Sequence, residues 1–411
     1  MSSILPYDII VHIIDTVGED KDLLKELALV SHSFHQLCCK QLFATVGIHT
    51  PNPNLKRRGV FSKNSFVNLL KSRPGVVKYI RKLTYEVDEL YDDDHPLLSI
   101  LPNFLRTISH LNCLAIEGSW LDWYTMHSSL TFAFLYLMHL PTINHIALSN
   151  IQGFPLSSLT QSVNLLRLDV HCVEPLEEQV VMEKMPKIRD FRTSFSPLLM
   201  TKLLHSKKQD GQQAFNFVDL RQLTICFGEK QSIRYLLQNA MLLEKLHLLS
   251  NGFNQTLEGL HDVLSAGAGT LKGLNLTLFL EGECGGATRP LIVNQPFNGL
   301  SEELEVMAEH NMLESLTLRV QVNRYETTDV IGSMIQNVEK VLVKPGWSKL
   351  RQVSFKVPVA CCASGKENTC AKLAEELQSL LPDKYLSHLS KLESVALKFS
   401  SYVAEQCHCV G

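Results

Sequence analysis

The sequence lacks a long hydrophobic run, a positive N-terminal segment and a strong net charge, and each absence excludes a class of protein. The longest nearly apolar run, at 132–140, is far shorter than the roughly 20 residues that a membrane-spanning helix needs. The start carries Asp8 and Asp15 and no Lys or Arg, unlike a secretory signal. With 39 Lys and Arg against 42 Asp and Glu, no global charge favours nucleic acid or an anionic membrane. We therefore expect a soluble cytoplasmic protein.

The sequence also lacks the common signatures of catalytic and metal sites. The 11 cysteines are odd in number and scattered, which favours free thiols in a reducing compartment. The cysteine-rich region 361–409 lacks the Cys-x₂₋₄-Cys spacing of zinc sites. The segment GECGG at 282–286 is not followed by the Lys-Ser or Lys-Thr of a phosphate loop, and nucleophile-elbow and zinc-protease motifs are missing. These features predict a protein that is not an enzyme and needs no cofactor or metal.

Residues 4–45 carry three short helical patterns in succession. Pro6 suits a first helical turn, and apolar residues then recur every three or four positions as far as Val17. Asp22 is expected to cap a second helix and Ser31 a third. Helices this short enclose only a small core, so part of their apolar surface should meet a partner or the rest of the chain.

The spacing of these residues resembles the F-box. The matching positions are Leu5-Pro6, Ile9, Ile13-Ile14, Asp22-Leu23-Leu24, Leu27-Ala28-Leu29-Val30-Ser31, Phe34 and Leu42-Phe43. Phe34 and Leu42-Phe43 stand where that family often has Trp, so the match departs from the common pattern at two apolar positions. The resemblance implies docking to the adaptor subunit of an SCF-type cullin–RING ubiquitin ligase, by burial of apolar residues in a groove. The residues that match adaptor-facing or supporting positions are Leu5, Pro6, Ile9, Leu24, Val30 and Phe34.

A polar segment separates this helical module from the remainder of the chain. Residues 49–63 contain two Pro, one Gly, two Asn and the basic cluster Lys56-Arg57-Arg58, which indicates a loop. The basic triplet is a weak match to a nuclear signal, and a solvated linker is favoured. A short helix is expected from Ser65 to Ser72. The predicted domains are the F-box-like module at 1–48, a linker with a connecting helix at 49–79, and a repeat region at 80–411.

The repeat region contains eleven copies of one short pattern: an apolar residue, two others, an apolar residue, one other, and a third apolar residue. The copies begin at Ile80, Leu111, Ile143, Val163, Ile188, Leu220, Leu243, Leu271, Leu313, Leu350 and Leu392. The last two apolar positions are two residues apart, so they lie on the same side of a strand. The copy at Ile188 is poorer, because Thr193 takes the third apolar position.

Helical patterns lie between the copies, at roughly 97–108, 125–139, 198–206, 230–240, 256–266, 301–310, 327–340 and 369–387. Strands that alternate with helices predict a parallel sheet. The spacing varies from 20 residues (Ile143 to Val163) to 42 residues (Leu271 to Leu313), and no Gly-rich turn follows the first strand, so a solenoid is favoured over a doubly wound sheet. The predicted fold is thus α/β.

The repeats resemble irregular leucine-rich repeats. The Asn that usually follows such a strand is at its place only once, at Asn251, so a regular Asn ladder is not expected. The resemblance implies a horseshoe with a parallel sheet on the concave face and helices on the convex face. An F-box followed by irregular leucine-rich repeats is similar to F-box-like proteins of mushroom-forming fungi.

Residues between the apolar positions should line the concave face and meet a partner. The acids Glu86, Glu117 and Asp169 come early, His247 lies in the middle, and the bases Arg319, Lys356 and Lys398 come late. Such a charge gradient suits a protein ligand, although ordinary solvated alternation gives the same pattern. The sequence thus predicts a substrate-recruiting subunit that binds the adaptor through the F-box and an unknown protein substrate through the repeats. The alternative is a scaffold unrelated to ubiquitin, in which the helical module only caps the repeats.

Trp120 and Trp123 flank Asp122 just after one predicted strand. An exposed aromatic pair in a loop would be a candidate anchor for a partner. Local packing is the favoured interpretation.

Overall fold

The computed structural model describes residues 5–18, 20–49, 60–87, 96–176, 186–207, 215, 217–250, 257–267, 269–280, 299–308, 312–323, 328–360 and 367–404. The chain divides into two compact units, which are described in turn. The first comprises Met1–Ile188 and Ser196–Asn216, and the second comprises Arg189–Phe195 and Phe217–Gly411. None of the helices in the described ranges is both long and apolar enough to span a bilayer.

The first unit begins with three helices, α1 (Tyr7–Val17), α2 (Lys21–Leu27) and α3 (His32–Leu42). Gly18, at φ 56°, ends α1 in a conformation that most side chains disfavour. The cap of α2 is Asp20, whose carboxylate accepts the backbone N–H groups of Asp22 and Leu23 at 3.1 Å. The prediction of Asp22 as the cap is therefore wrong by two residues. Ser31 caps α3 as predicted, accepting the N–H of Phe34 at 3.4 Å.

The three helices enclose a small core of their own. It consists of the buried side chains Ile10, Ile14, Leu24, Phe34 and Cys38, with Ile13, Val17, Leu27, Ala28, Leu37 and Leu42 partly buried around it. The apolar spacing of α1 explains why Ile10 and Ile14, one turn apart, face the same way. A core of this size leaves several large apolar residues of the module uncovered.

The remainder of the first unit is a parallel sheet with helices between its strands. The strands are β1 (Thr45–Ile48), β2 (Val60–Phe61), β3 (Lys82–Val87), β4 (Cys113–Asp122), β5 (His145–Phe154) and β6 (Arg167–Pro175), in the order β2-β1-β3-β4-β5-β6. The helices are α4 (Lys63–Ser72), a 3₁₀ helix at Pro74–Tyr79, α5 (Pro96–Leu105), α6 (Ser128–Met138), α7 (Ser157–Thr160) and α8 (Pro197–His205). The connecting helix predicted from Ser65 is therefore present as α4.

The second unit has the same construction. Its strands are β7 (Asp190–Ser194), β8 (Gln222–Cys226), β9 (Lys245–Leu249), β10 (Gly273–Leu280), β11 (Ser315–Asn323), β12 (Gln352–Ala360) and β13 (Ala396–Ala404), which lie side by side in sequence order. Its helices are α9 (Lys230–Asn239), α10 (Leu260–Leu264), α11 (Leu300–Met307), α12 (Thr328–Leu342) and α13 (Glu367–Tyr385). Each of the eight predicted helical stretches contains a helix, and each of the eleven copies contains a strand.

A repeated main-chain hydrogen bond joins one strand entry to the next. The carbonyl of Arg81 accepts the N–H groups of Asn112 and Cys113, and the carbonyl of Asn112 accepts those of Asn144 and His145 at the entry of β5. The same arrangement recurs in the second unit, where Arg221 and Glu244 accept the N–H groups at the entries of β9 and β10. Because only main-chain atoms take part, these hydrogen bonds do not require particular side chains. The repeats can therefore differ in sequence at every position except the apolar ones.

The structure adds one copy of the pattern that the sequence prediction missed. Val46 and Ile48 of β1 are register partners of Leu83 and Tyr85 in β3. Phe43 stands three residues before Val46, so the apolar spacing of a repeat begins within the helical module. The sheet therefore starts at Thr45, before the segment predicted as a linker. Phe43 also terminates α3, so module and sheet share this residue.

Two copies are displaced by two residues from their predicted positions. Val163 is 50% exposed whereas Leu165 is fully buried, so the fourth copy begins at Leu165. In the last copy, Leu397 and Phe399 are the register partners of Val353 and Phe355, so its strand positions also lie two residues later than predicted, with Ser394 in the first position. Side chains alternate with a period of two, and the strand residues therefore keep their predicted faces after a slip of two residues, whereas Val163 and Leu166, predicted to face the core, are exposed.

Only one face of each sheet is fully buried. In β9, Leu246 and Leu248 are buried while His247 and Leu249 are half-buried, and Lys82–Val87 in the first unit alternates in the same way. A doubly wound parallel sheet would have helices on both faces and buried residues on both. The arrangement is compatible with a solenoid-like α/β fold. We call the less buried face of each sheet its open face.

Several sequence features lie outside the described residues. They are the basic cluster at 56–58, Asn251, the segment GECGG at 282–286, and all cysteines of the region 361–409 except Cys370.

Candidate functional site

The residues predicted to serve adaptor docking divide into two groups. Leu24 and Phe34 are 1% and 5% exposed and belong to the core of the module. Leu5, Ile9 and Val30 are 48%, 45% and 64% exposed, and Pro6 is exposed as well. The structure thus separates supporting positions from accessible ones, a distinction that the sequence match left open.

The module exposes further large apolar side chains that the sequence prediction did not single out. These are Tyr7, Leu23 and Leu29, and Leu29 is 88% exposed. Together with the four accessible residues above they form what we call the apolar surface of the module: Leu5, Pro6, Tyr7, Ile9, Leu23, Leu29 and Val30. Exposed apolar residues in such number are typical of a surface that binds another protein.

Leu29 and Val30 lie in a fixed turn between α2 and α3. Their N–H groups bond to the carbonyls of Glu26 and Leu27, both at 3.0 Å, and Ser31 then caps the next helix. The two side chains are therefore presented to solvent by an ordered backbone, which lowers the entropy lost on binding.

On the open face of the first unit, the three predicted acids have different surroundings. Glu86 and Glu117 are register partners on β3 and β4 and are half-buried. The Glu86 carboxylate lies 3.1 Å from Nδ1 of His49. Asp169 is held by Arg167 and His145, so its charge is already compensated. The negative character predicted for this unit therefore rests on Glu86 and Glu117.

A cluster of polar side chains crosses three strands of this open face. Cys113 and Arg167 are the register partners of His145 on either side. The Cys113 Sγ lies 3.1 Å from His145 Nδ1, and His145 Nε2 lies 3.0 Å from Asp169 Oδ2. Arg167 donates from Nη2 to the same carboxylate at 2.7 Å. We call these four residues the thiol cluster.

The sequence prediction named only Asp169 of this cluster. A signal was present, because Cys113, His145 and Arg167 each directly precede the middle apolar residue of their repeat. Stacking the correctly aligned copies would have placed them side by side. The displaced copy at Val163 hid this, since it moved Arg167 to the slot after the middle apolar residue.

Hydrogen bonds hold His145 in its charged form. Burial opposes the charge, but the hydrogen bonds to Asp169 and Cys113 outweigh it and raise the pKa of His145 to about 9. Burial likewise opposes the charge of Asp169, yet the hydrogen bonds from His145 and Arg167 lower the pKa of that carboxyl group.

The open face of the second unit carries the predicted bases. Arg319 and Lys356 are register partners on β11 and β12, and both are exposed, as is Lys398 on β13. His247 is more enclosed, with Nε2 2.7 Å from the Thr277 hydroxyl. Burial, with the nearby charges of Arg319 and Arg192, lowers the pKa of His247 to about 4. His247 is therefore neutral at physiological pH, and the positive character rests on the exposed bases.

The two tryptophans at the end of β4, Trp120 within the strand and Trp123 just after it, have different environments. Trp123 is 4% exposed and packs edge-on against Phe154, with ring centroids 5.1 Å apart. Trp120 is 58% exposed and has φ 63°, a left-handed conformation that costs a bulky residue roughly 1–2 kcal/mol. Local packing thus holds for Trp123 and not for Trp120.

The cysteines differ from the expectation of free thiols throughout. Cys38, Cys39, Cys113 and Cys172 are free thiols, whereas Cys370 is disulfide-bonded. Within the described ranges, no group of three His, Cys, Asp or Glu side chains is arranged to hold a metal ion. Neither a protein-family model nor a curated protein sequence matches the chain.

Proposed function

We propose that this chain is the substrate-recruiting subunit of an SCF-type cullin–RING ubiquitin ligase. The observation that carries the proposal is the division of the F-box-like residues into a buried pair, Leu24 and Phe34, and an accessible set that includes Ile9 and Val30. A docking module needs such a division, because the buried residues maintain the fold and the accessible ones supply contact area.

The open face of each unit, taken by itself, is a proposed site for a protein substrate. Glu86 and Glu117 give the first unit a negative patch, and Arg319 and Lys356 give the second unit a positive one. Each patch favours a partner segment of the opposite charge and raises the rate of its association. In this proposal the chain binds and positions the substrate, and the other subunits carry out ubiquitin transfer.

Charged substitutions in the apolar surface of the module test adaptor docking. We expect Ile9→Asp and Val30→Asp each to weaken co-purification with the adaptor subunit by at least about tenfold, since an unpaired carboxylate would be buried in an apolar groove. Both side chains are exposed in the free chain, so the variants should keep the circular dichroism of the parent.

A matched control is available in the repeats. Val163, 50% exposed, lies outside the module, and Val163→Asp should leave adaptor binding unchanged. Normal adaptor binding by both module variants would refute the docking assignment. Leu24 and Phe34 are unsuitable for this test, because a charge at either would unfold the module's core.

A second function is favoured by the junction between module and sheet. Phe43 ends α3 and opens the first repeat, and α3 also contacts the 3₁₀ helix at Pro74–Tyr79. These contacts support a second candidate role, in which the module caps the repeats, since exposed ends of a sheet associate with other chains.

Deletion of residues 1–42 tests the capping role while keeping Phe43 and all of β1. If the module serves only as a cap, the shortened chain should aggregate during size-exclusion chromatography. A monodisperse, cooperatively unfolding fragment would count against capping and would leave adaptor docking as the module's role. A deletion that extends through residue 48 is not suitable, because it removes a strand of the sheet as well.

A further inference from the structure

The thiol cluster brings together the three kinds of group that activate a cysteine. Register pairing sets Cys113, His145 and Arg167 in a row across β4, β5 and β6. The thiol contacts one ring nitrogen of His145, and Asp169 contacts the other. Arg167 fixes the carboxylate with two donors, Nε at 3.1 Å and Nη2 at 2.7 Å. The imidazole is thus held between a nucleophile and an orienting acid, the arrangement on which nucleophilic catalysis depends.

The carboxylate determines where the protons lie. Ionised Asp169 can only accept, so Nε2 of His145 must carry a hydrogen and donate it. In the charged form of His145, Nδ1 also carries a hydrogen, and this is the nitrogen that faces Sγ at 3.1 Å. The imidazolium therefore donates to the sulfur from Nδ1 and to Asp169 from Nε2, and it stabilises the Cys113 thiolate once that thiolate has formed.

Other charged groups face the pair from the neighbouring strands. Lys82 on β3 is the register partner of Cys113, and Glu117 lies four residues further along β4. On β6, His171 follows Asp169 at two residues, while Ala115 and Ala147 occupy the next row of the open face with only methyl groups. Of the bases in this region, Lys82 is on the strand next to the thiol, whereas Arg167 lies two strands away and is engaged with Asp169.

We propose that Cys113 is a site of reversible S-thiolation by low-molecular-weight disulfides. The Cys113 thiolate attacks one sulfur of the disulfide, a new S–S bond forms to Cys113, and the old S–S bond breaks. The departing thiolate takes the electron pair of that bond and receives a proton from the His145 imidazolium, which the solvent then reprotonates. The disulfide is reduced to one thiol and one protein-bound half, so atoms and electrons balance.

Thiol–disulfide exchange fits this site better than acyl transfer does. Attack on sulfur needs a thiolate and a proton donor, both of which the cluster has. Acyl transfer also needs donors for a developing oxyanion, and the cluster's own donors are already engaged with the Asp169 carboxylate and the thiol. Cys113 is 8% exposed, and its adduct would project from the open face of the first unit, where it would obstruct a partner. The inference does not depend on the proposed ligase function.

The test uses the full chain with glutathione disulfide at pH 7, and peptide mapping by mass spectrometry to measure the rate at each cysteine. Cys172 is the internal comparator: it is more exposed than Cys113, burial raises the pKa of its thiol, and its sulfur is 3.6 Å from His171 Nε2. We expect Cys113 to react at least about tenfold faster than Cys172, and the adduct to be removed by dithiothreitol. If accessibility alone decided the rate, Cys172 would react faster, and that result would overturn the proposal.

Variants test whether His145 and Asp169 activate the Cys113 thiol, or whether its location in the sheet alone explains its reactivity. His145→Gln should slow the reaction at Cys113 by about tenfold, and Asp169→Asn should slow it as well, since either change removes a partner of the proton transfer. Ser149→Ala, on the same strand and face as His145, should leave the rate unchanged. An unchanged rate in His145→Gln would contradict activation.

If these variants fail to fold, a pH series on the unsubstituted protein tests the proposal instead. The ratio of the Cys113 rate to the Cys172 rate should grow as the pH falls from 8 to 6, because the His145 imidazolium persists over this range and stabilises the Cys113 thiolate, whereas burial disfavours the thiolate of Cys172. A ratio that stays constant or shrinks would contradict the proposal.

Discussion

Glu339→Ala is expected to lower the free energy of unfolding by about 3–5 kcal/mol. Glu339 in α12 is 1% exposed. Its Oε1 accepts the backbone N–H groups of His388 at 2.8 Å and Leu389 at 3.0 Å. Removing the carboxylate leaves two donors unsatisfied and a cavity beside α12, and each unsatisfied buried donor costs about 1–3 kcal/mol. Urea denaturation followed by circular dichroism measures the change.

The glutamine variants provide the control. The second oxygen of Glu339, Oε2, lies 3.3 Å from His388 Nδ1, a ring nitrogen that can accept a hydrogen bond. Glu339→Gln keeps an oxygen for both N–H groups and turns its amide N–H₂ toward this nitrogen, so it should cost less than about 1 kcal/mol. Glu303 in α11 binds differently, with Oε1 on the N–H of Gly259 and Oε2 on that of His261, both at 2.7 Å. Glu303→Gln turns an amide N–H₂ toward a donor and should cost more than Glu339→Gln. Equal effects of the two glutamine variants would contradict this account.

Acidification is expected to destabilise the second unit through His247 by about 3 kcal/mol between pH 6.5 and pH 4. The pKa of His247 is lowered to about 4 in the folded chain, whereas an unfolded histidine titrates near 6.5. Within this window the unfolded state binds a proton that the folded state does not, so stability is full above 6.5 and falls as the pH drops. His247→Gln should keep a hydrogen bond to Thr277 and reduce this dependence.

His145 provides an internal control, because folding shifts its pKa upward, whereas folding shifts the pKa of His247 downward. Its folded pKa of about 9 lies above the unfolded value, so its contribution is complete below pH 6.5 and is lost as the pH rises through 9. His145→Gln should therefore reduce the loss of stability between pH 6.5 and 9 and leave the acid limb unchanged. Denaturation midpoints measured from pH 4 to 9.5 test both limbs. If His247→Gln loses as much stability between pH 6.5 and pH 4 as the parent does, groups other than His247 control the acid sensitivity.

The repeat architecture was predictable because it follows from local periodicity. The pattern at Leu243, for example, places Leu246 and Leu248 on one side of a strand in the sequence, and β9 buries those two residues. The helix expected at 230–240 is α9, which covers 230–239. Apolar spacing of this kind is set by a few consecutive residues, so it can be read without knowing the tertiary contacts. The folded chain then buries the face that the spacing predicts.

Prediction fails where two interpretations compete for the same residues. Phe43 fits both the end of the helical module and the start of a repeat, and the first interpretation conceals the repeat that contains Val46 and Ile48. Val163 and Leu165 are equally good starts for the fourth copy, because both leave Leu168 on the buried face, and only packing decides between them. Periodicity gives the face of a strand, and it does not give the point at which the strand begins.

By itself, the sequence determined that this protein has a short helical module followed by parallel strands alternating with helices. Tertiary structure decided which of the module's apolar residues face outward, because a core of five buried side chains takes Leu24 and Phe34 and leaves Ile9 and Val30 exposed. It also decided the neighbours across the strands. Cys113, His145 and Asp169 are separated by 32 and 24 residues along the chain, and only the register of three parallel strands brings their side chains within hydrogen-bonding distance.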